Sequence, residues 1–138
     1  YGPEMRGGTC NCSVCISDDP IGSPLVDAPS TLIVMNTPSY DKFIDTVVPG
    51  GTVLIDSSLV EAKTDRTDIN VYYVPATALA NENDMKGMAN IILLGKLLKE
   101  TNITSMETVK KAMEKVIPPK KAHLIEANIK AIELGMQQ

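Results

Sequence analysis

Two groups of residues near the start of this 138-residue chain have the types and spacing to do chemistry. The first is the loop Tyr1-Gly2-Pro3-Glu4-Met5-Arg6-Gly7-Gly8, which sets one carboxylate, Glu4, and one guanidinium, Arg6, beside flexible backbone at Gly7 and Gly8. Arg6 has three open uses: bidentate binding of a carboxylate or phosphate, pairing with Glu4, or contact with a partner subunit. The loop is not a P-loop, because it lacks the Lys-Ser/Thr pair that reaches terminal phosphates and magnesium, and it is not a GxGxxG fingerprint. The second group is Cys10, Cys12 and Cys15, whose C-x-C-x-x-C spacing would offer three thiolates to zinc or an iron-sulfur cluster. No fourth cysteine exists and the single histidine, His123, lies near the other end, so no metal site is expected. The cysteines read instead as small buried apolar residues, and His123 as an ordinary helical surface residue.

The elements that must position these groups follow from periodicity. Thr9 to Ser17 alternates, with Cys10, Cys12, Val14 and Ile16 on one side, and is expected to be a strand. Turn-rich sequence follows, Asp18-Asp19-Pro20 and Gly22-Ser23-Pro24. Thr31 to Asn36 is a short apolar run of the kind found in strands buried on both faces. Thr37-Pro38 then reads as an N-cap with proline at the first helical position, opening a helix over Pro38 to Thr46 that buries Phe43 and Val47 and ends at Pro49-Gly50-Gly51. Thr52 to Asp56 and Ile69 to Pro75 are the next strands. Beyond Pro75 the period becomes helical. Met88, Ile91, Ile92, Gly95 and Leu98 share a face, with Gly95 free to admit another backbone. Thr104-x-x-Glu107 is a capping-box pattern ahead of Met106, Val109, Ala112, Met113 and Val116. Pro118-Pro119 breaks that helix, and Ile125, Ile129, Ile132 and Met136 mark a last one. The expected fold is α/β: a mostly parallel sheet covered by helices, with a helical C-terminal segment, as one domain over 1–138.

Composition narrows the function classes. With 43% hydrophobic and 22% charged residues the chain can hold one ordinary core. No apolar run exceeds four residues, Ile91 to Leu94 being one of them, far short of the ~20 that span a bilayer, so no membrane partner is expected and cytoplasm is the expected compartment. Net charge is -4, unevenly spread: residues 1–95 carry five basic and twelve acidic side chains, and 96–138 carry eight lysines and five acids. Glu107/Lys111 and Glu126/Lys130 have the i,i+4 spacing of a solvated helical face. Nucleic-acid binding has no support, since aromatics make up only 4% of the chain and no arginine cluster accompanies the lysines.

The order of "YGPEMRGGTCNCSV", "IGSP", "MNTPSYDKF", "PGG", "VPAT" and "MANIILLG" resembles the gamma subunit, or gamma domain, of the 2-oxoacid:ferredoxin oxidoreductases. The resemblance runs from Tyr1 to about Leu98. In that family a first strand and a GxGGQG-type loop precede the Tyr-Gly-Pro-Glu segment, so the resemblance implies an N-terminal truncation and a missing first β-α unit. Met-Arg-Gly-Gly followed by Thr is closer to the 2-oxoglutarate and 2-ketoisovalerate members than to the pyruvate ones. The family commonly has alanine at the place of Cys10 and an aliphatic residue at Cys15, which agrees with a strand rather than a metal site.

The resemblance implies a subunit of an enzyme that decarboxylates a 2-oxoacid on thiamine diphosphate, passes electrons through iron-sulfur clusters to ferredoxin and delivers the acyl group to coenzyme A. No cofactor is expected on this chain alone and no catalytic residue within it. Its expected partners are the alpha, beta and ferredoxin-like subunits, and ferredoxin. Glu4, Arg6, Gly7 and Gly8 correspond to the signature loop, a ligand or interface element. Asn36, Pro38 and Ser39 fall where a strand gives way to a helix, a place that favours an anion through free N–H groups and the helix dipole, or that simply caps the helix. The alternative function is a free-standing nucleotide- or anion-binding α/β module without enzymatic activity.

Overall fold

A computed structural model describes residues 8–138. Three parallel strands, β1 (Thr31–Val34), β2 (Thr52–Asp56) and β3 (Asn70–Val74), form a sheet in the order β1-β2-β3. The register pairs Leu32 with Val53 and Val53 with Val71. Around them lie α1 (Thr37–Phe43), continued by a 3-10 turn (Ile44–Thr46), then α2 (Ala76–Glu82), α3 (Ala89–Thr101), α4 (Met106–Val116), a second 3-10 turn (Pro119–Lys121) and α5 (His123–Met136). The expected α/β fold with a helical C-terminal part is what forms.

The central strand shows why. In β2 all of Val53, Leu54, Ile55 and Asp56 are buried, as in a strand covered on both faces. Successive side chains point to opposite faces. Val53 and Ile55 join Val34, Tyr40, Ile44, Val47 and Val60 on the α1 side, while Leu54 packs with Val74, Ala76, Ala80, Ile92, Leu93 and Ala131 on the other. Helices α2, α3 and α5 supply that second layer. The turn between α1 and β2 needs its glycines: Gly50 has φ +79°, and a Cβ on Gly51 would lie 2.6 Å from Val47 Cγ1.

Helices α3 and α5 meet almost backbone to backbone. A Cβ on Gly95 would sit 2.1 Å from the Ile132 carbonyl oxygen, and one on Gly135 only 1.9 Å from that of Ile92. Gly95 thus does what its place on the apolar face led us to expect, and Gly135 is its reciprocal partner.

Three expectations require correction. Residues 9–17 form no strand: no ladder bond ties them to the sheet, and Val14 and Ile16 are 73% and 76% exposed. Alternation is a property of the segment alone, whereas a strand also needs a neighbouring strand, and none of β1, β2 and β3 pairs with residues 9–17. The cysteines are consequently not core residues; Cys10 and Cys12 are exposed and Cys15 is half-buried. The caps are also displaced by one residue. Asn36 rather than Thr37 caps α1, and Ser105 rather than Thr104 caps α4, accepting from the Thr108 N–H. Glu107 pairs with Lys111 at 2.6 Å, as its i,i+4 spacing anticipates.

Candidate functional site

The carboxyl ends of β1, β2 and β3 form one crest, and it is here that the chemically interesting residues gather. At the end of β1 the chain passes through Met35 to Asn36, whose extended backbone (φ -156°, ψ 156°) leaves its side chain free to turn back over the helix start. Asn36 Oδ1 accepts from the Ser39 N–H at 2.8 Å, an N-cap bond. Its Nδ2 donates to the Gly8 carbonyl at 3.1 Å. Lys42, one turn along α1, reaches Thr9 Oγ1 at 3.5 Å. The last glycine of the opening loop and the Asn36–Ser39 turn, two regions far apart in sequence, are therefore brought together. Glu4, Arg6 and Gly7 lie outside the described residues.

The α1 start offers little to an anion. Pro38 has no N–H, the Ser39 N–H is taken by Asn36, and the Tyr40 N–H is bonded to the Asn36 carbonyl at 3.1 Å. Thr37 alone keeps a first-turn donor, and its hydroxyl is turned towards the Leu59 carbonyl at 3.4 Å. The geometry is that of a cap that anchors a loop.

At the end of β2 stands Asp56, fully buried. One carboxylate oxygen accepts from the N–H groups of Ser58 (3.1 Å) and Thr77 (3.3 Å), the other from the Thr77 hydroxyl at 2.6 Å. Ser58 in turn accepts from the Ala78 N–H at 3.0 Å through its hydroxyl. A buried carboxylate is tolerated when its lone pairs are met by donors, and this one ties the β2 exit to the first turn of α2. Sequence reasoning passed over this network. Its one signal is an acid closing an otherwise apolar strand, "TVLID", with Ser57-Ser58 after it.

A second polar cluster lies on the α3–α5 side. Lys96, 8% exposed, donates to Glu100 at 2.6 Å and to the Gln138 carbonyl at 2.9 Å, and its ammonium stands 4.6 Å from the centre of the Tyr72 ring. The hydrogen bond from Lys96, followed by one from Tyr72, holds the Glu100 carboxyl below its ordinary range. The same Tyr72–Glu100 bond raises the phenol. The bidentate Arg66–Asp68 pair, 2.9 and 2.6 Å, likewise lowers the Asp68 carboxyl, chiefly through the hydrogen bonds from the guanidinium. Arg66 also donates to the Ile44 carbonyl at 2.9 Å and so clips the β2–β3 connection to the α1 side.

Among the described residues no group of three or more histidine, cysteine or acidic side chains stands close enough to hold a metal ion. Cys15 Sγ lies 3.8 Å from the Ser23 carbonyl, a weak contact, and His123 is exposed at the start of α5. No helix among the described residues is long and apolar enough to cross a membrane.

A parallel sheet with helices on both faces and a capped helix start at the carboxyl end of β1, to which Gly8 is bonded, define an open-sheet α/β domain, a class in which ligands commonly bind at the carboxyl ends of the strands. The sequence matches the family described as pyruvate ferredoxin/flavodoxin oxidoreductase over residues 1–138, and the chain belongs to that family. It is 41% identical to the 2-oxoglutarate synthase subunit KorC of Methanocaldococcus jannaschii over 86% of its length. It is 34% identical to the ketoisovalerate oxidoreductase subunit VorA of Methanothermobacter thermautotrophicus over 99% of its length. Both relatives are named for 2-oxoglutarate or ketoisovalerate, the members that Met-Arg-Gly-Gly resembles. The chain spans 64% of the KorC sequence and 28% of the VorA sequence. The fold superimposes on a keto/oxoacid ferredoxin oxidoreductase gamma subunit from Geobacter sulfurreducens with a TM-score of 0.68 and 26% identity, covering 78% of this chain and 62% of that one.

Proposed function

We propose that this chain is the gamma part of a 2-oxoacid:ferredoxin oxidoreductase, an assembly that converts a 2-oxoacid and coenzyme A to acyl-CoA and CO2 while reducing ferredoxin. The observation that carries this reading is the family match along the whole chain together with the KorC identity. In the assembly, thiamine diphosphate supplies the electron sink for decarboxylation and iron-sulfur clusters carry the electrons away. We assign no chemical step to this chain's own residues. The reactive groups belong to alpha, beta and ferredoxin-like partners, and cytoplasm is the compartment that suits such an enzyme.

The chain's own contribution is a shaped contact surface. Glu4, Arg6, Gly7 and Gly8 form its contact loop, with Arg6 as the cationic contact to a partner carboxylate or to an anionic group of coenzyme A. The bond from Asn36 holds the loop's last residue, Gly8, beside the start of α1, and Pro38 and Ser39 serve as the scaffold there. A free-standing anion-binding module is disfavoured because the Asn36–Ser39 turn uses its donors internally.

The test is reconstitution with the polypeptides encoded beside it. The complete assembly should reduce ferredoxin with 2-oxoglutarate or 2-ketoisovalerate in the presence of coenzyme A, the isolated chain should not, and Arg6→Ala should impair assembly or raise the KM for coenzyme A. Full turnover of an assembly lacking this chain would remove the reading.

A further inference from the structure

The C-terminal helices carry a charged surface separate from the crest. Residues 110–121 hold five lysines, Lys110, Lys111, Lys115, Lys120 and Lys121, against one acid, Glu114. All five lysines are exposed. Lys111 is paired with Glu107; the other four have no ion-pair partner among the described residues. The rest of the molecule has the opposite sign, with twelve acids against five basic residues in 1–95.

Local structure makes this more than a solvated helix face. Helix α4 packs on α5 rather than on the sheet and buries none of its residues. Pro118 and Pro119 then fix the backbone of the 3-10 turn that presents Lys120 and Lys121 side by side. Between those two and Lys115 stands Val116, 78% exposed, with both prolines exposed next to it. An apolar centre with a charged surround on a pre-shaped turn is the anatomy of a protein interface, and pre-shaping reduces the entropy lost on docking. Nucleic acid is a poorer occupant, because no arginine and no aromatic residue lies beyond Tyr73 to grip or stack on bases. A membrane is poorer too: Met106, Val109 and Met113 are half-buried on the α5 side, which leaves Val116 as the main apolar group on α4 to insert.

We propose that Lys115, Val116, Lys120 and Lys121 form a docking patch for an acidic protein, the electron carrier that the assembly reduces. This rests on the function proposed above. A lone positive patch on a negative protein steers an acidic partner to one place by repelling it everywhere else.

The experiment compares the reconstituted assembly with its K115E/K120E/K121E variant, using an acidic bacterial ferredoxin or benzyl viologen as acceptor. The expected result is a KM for ferredoxin raised at least tenfold at 20 mM NaCl, a smaller difference at 200 mM, and viologen-coupled turnover unchanged. A ferredoxin KM untouched by the triple reversal, or raised as much by K63E/K86E, would overturn the docking patch while leaving the subunit role intact. If the assembly shows no turnover with either acceptor, the subunit role fails and the patch, which rests on it, fails too; where turnover is present, anisotropy of labelled ferredoxin with the assembly reads the patch directly. Salt-insensitive binding there, or preference for phosphatidylglycerol vesicles over ferredoxin, overturns it.

Discussion

Replacing Gly95 with alanine should destabilise the fold even though alanine is the better helix former. The new Cβ would meet the Ile132 carbonyl oxygen at 2.1 Å, where ordinary contact begins near 3.4 Å, so α3 and α5 must separate by about 1.3 Å. The obstacle is helix backbone, which cannot rotate aside. Overpacking of this kind costs about 1–3 kcal/mol. Separation also weakens the packing of Ile92 and Ile132, both 0% exposed, since a gap of 0.5–1 Å already forfeits a quarter to a half of a dispersion contact. Against this stands a propensity gain of about 1 kcal/mol. With the weakened Ile92 and Ile132 packing placing the clash at about 3 kcal/mol, the net is a loss of about 2 kcal/mol, and with roughly 0.3 kcal/mol per kelvin of unfolding entropy for a chain this long, a fall in Tm of about 7 °C. Thermal unfolding followed by circular dichroism reads this directly. Gly22→Ala, where a Cβ meets nothing within 4 Å, is the control and should leave Tm within about 1–2 °C. Gly135→Ala should act similarly, and because one displacement relieves both clashes, the double variant should lose less than the two single losses added. A Gly95→Ala protein as stable as the parent would refute the close-approach reasoning.

Three further outcomes follow from the crest and the polar cluster. Asp56→Ala should lower stability by about 1–3 kcal/mol in urea unfolding, because it removes a fully buried carboxyl and leaves the half-buried Thr77 hydroxyl and N–H without their acceptor. Asn36→Ala should cost about 1 kcal/mol through the lost cap and, by releasing the Gly8 carbonyl, should speed proteolysis within residues 9–17 relative to the parent. The Glu100 carboxyl is depressed in the fold, so its contribution is present above its unfolded pKa of about 4.3 and disappears as pH falls through the lower folded value. Glu100→Gln should therefore flatten the decline of Tm below pH ~4.3 while lowering Tm at pH 7; an unchanged acid limb would count against the Lys96–Glu100–Tyr72 cluster.

What the sequence made legible is what local period determines. The runs at Thr31, Thr52 and Ile69 gave strands within a residue or two of β1, β2 and β3, and the face through Met88, Ile92 and Gly95 gave α3 and its close contact. Helix α2 was not singled out, because "ATALANE" starts directly after Pro75 and its core face, Ala76, Leu79 and Ala80, is built from small residues that do not stand out from an alanine-rich segment. Both misplaced caps involve adjacent residues that can each accept from a helix N–H, so chemistry alone does not choose between Asn36 and Thr37. The error over Thr9 to Ser17 has a different origin: pairing is a nonlocal property, and a two-residue period cannot announce the absence of a neighbour. The contact between Gly8 and Asn36 was hidden for the same reason, being a bond across 28 positions.

The α1 layer and the α3–α5 seam lie on opposite faces of β2, and β2 is the main element they share. Val53 and Ile55 face the α1 layer that holds Asn36, while Leu54 faces the layer built from α3 and α5. A disturbance of the glycine seam can therefore reach the Gly8 anchor by moving β2, by loosening the Asp56–Thr77 tie at its end, or through Met35, which packs against the α3–α5 layer right beside Asn36. The lysine turn is one step further away, since α4 rests on α5. Loop contact and lysine docking should accordingly respond to different substitutions: Asn36→Ala should disturb the first without changing the salt dependence of the second, and lysine reversal should do the opposite.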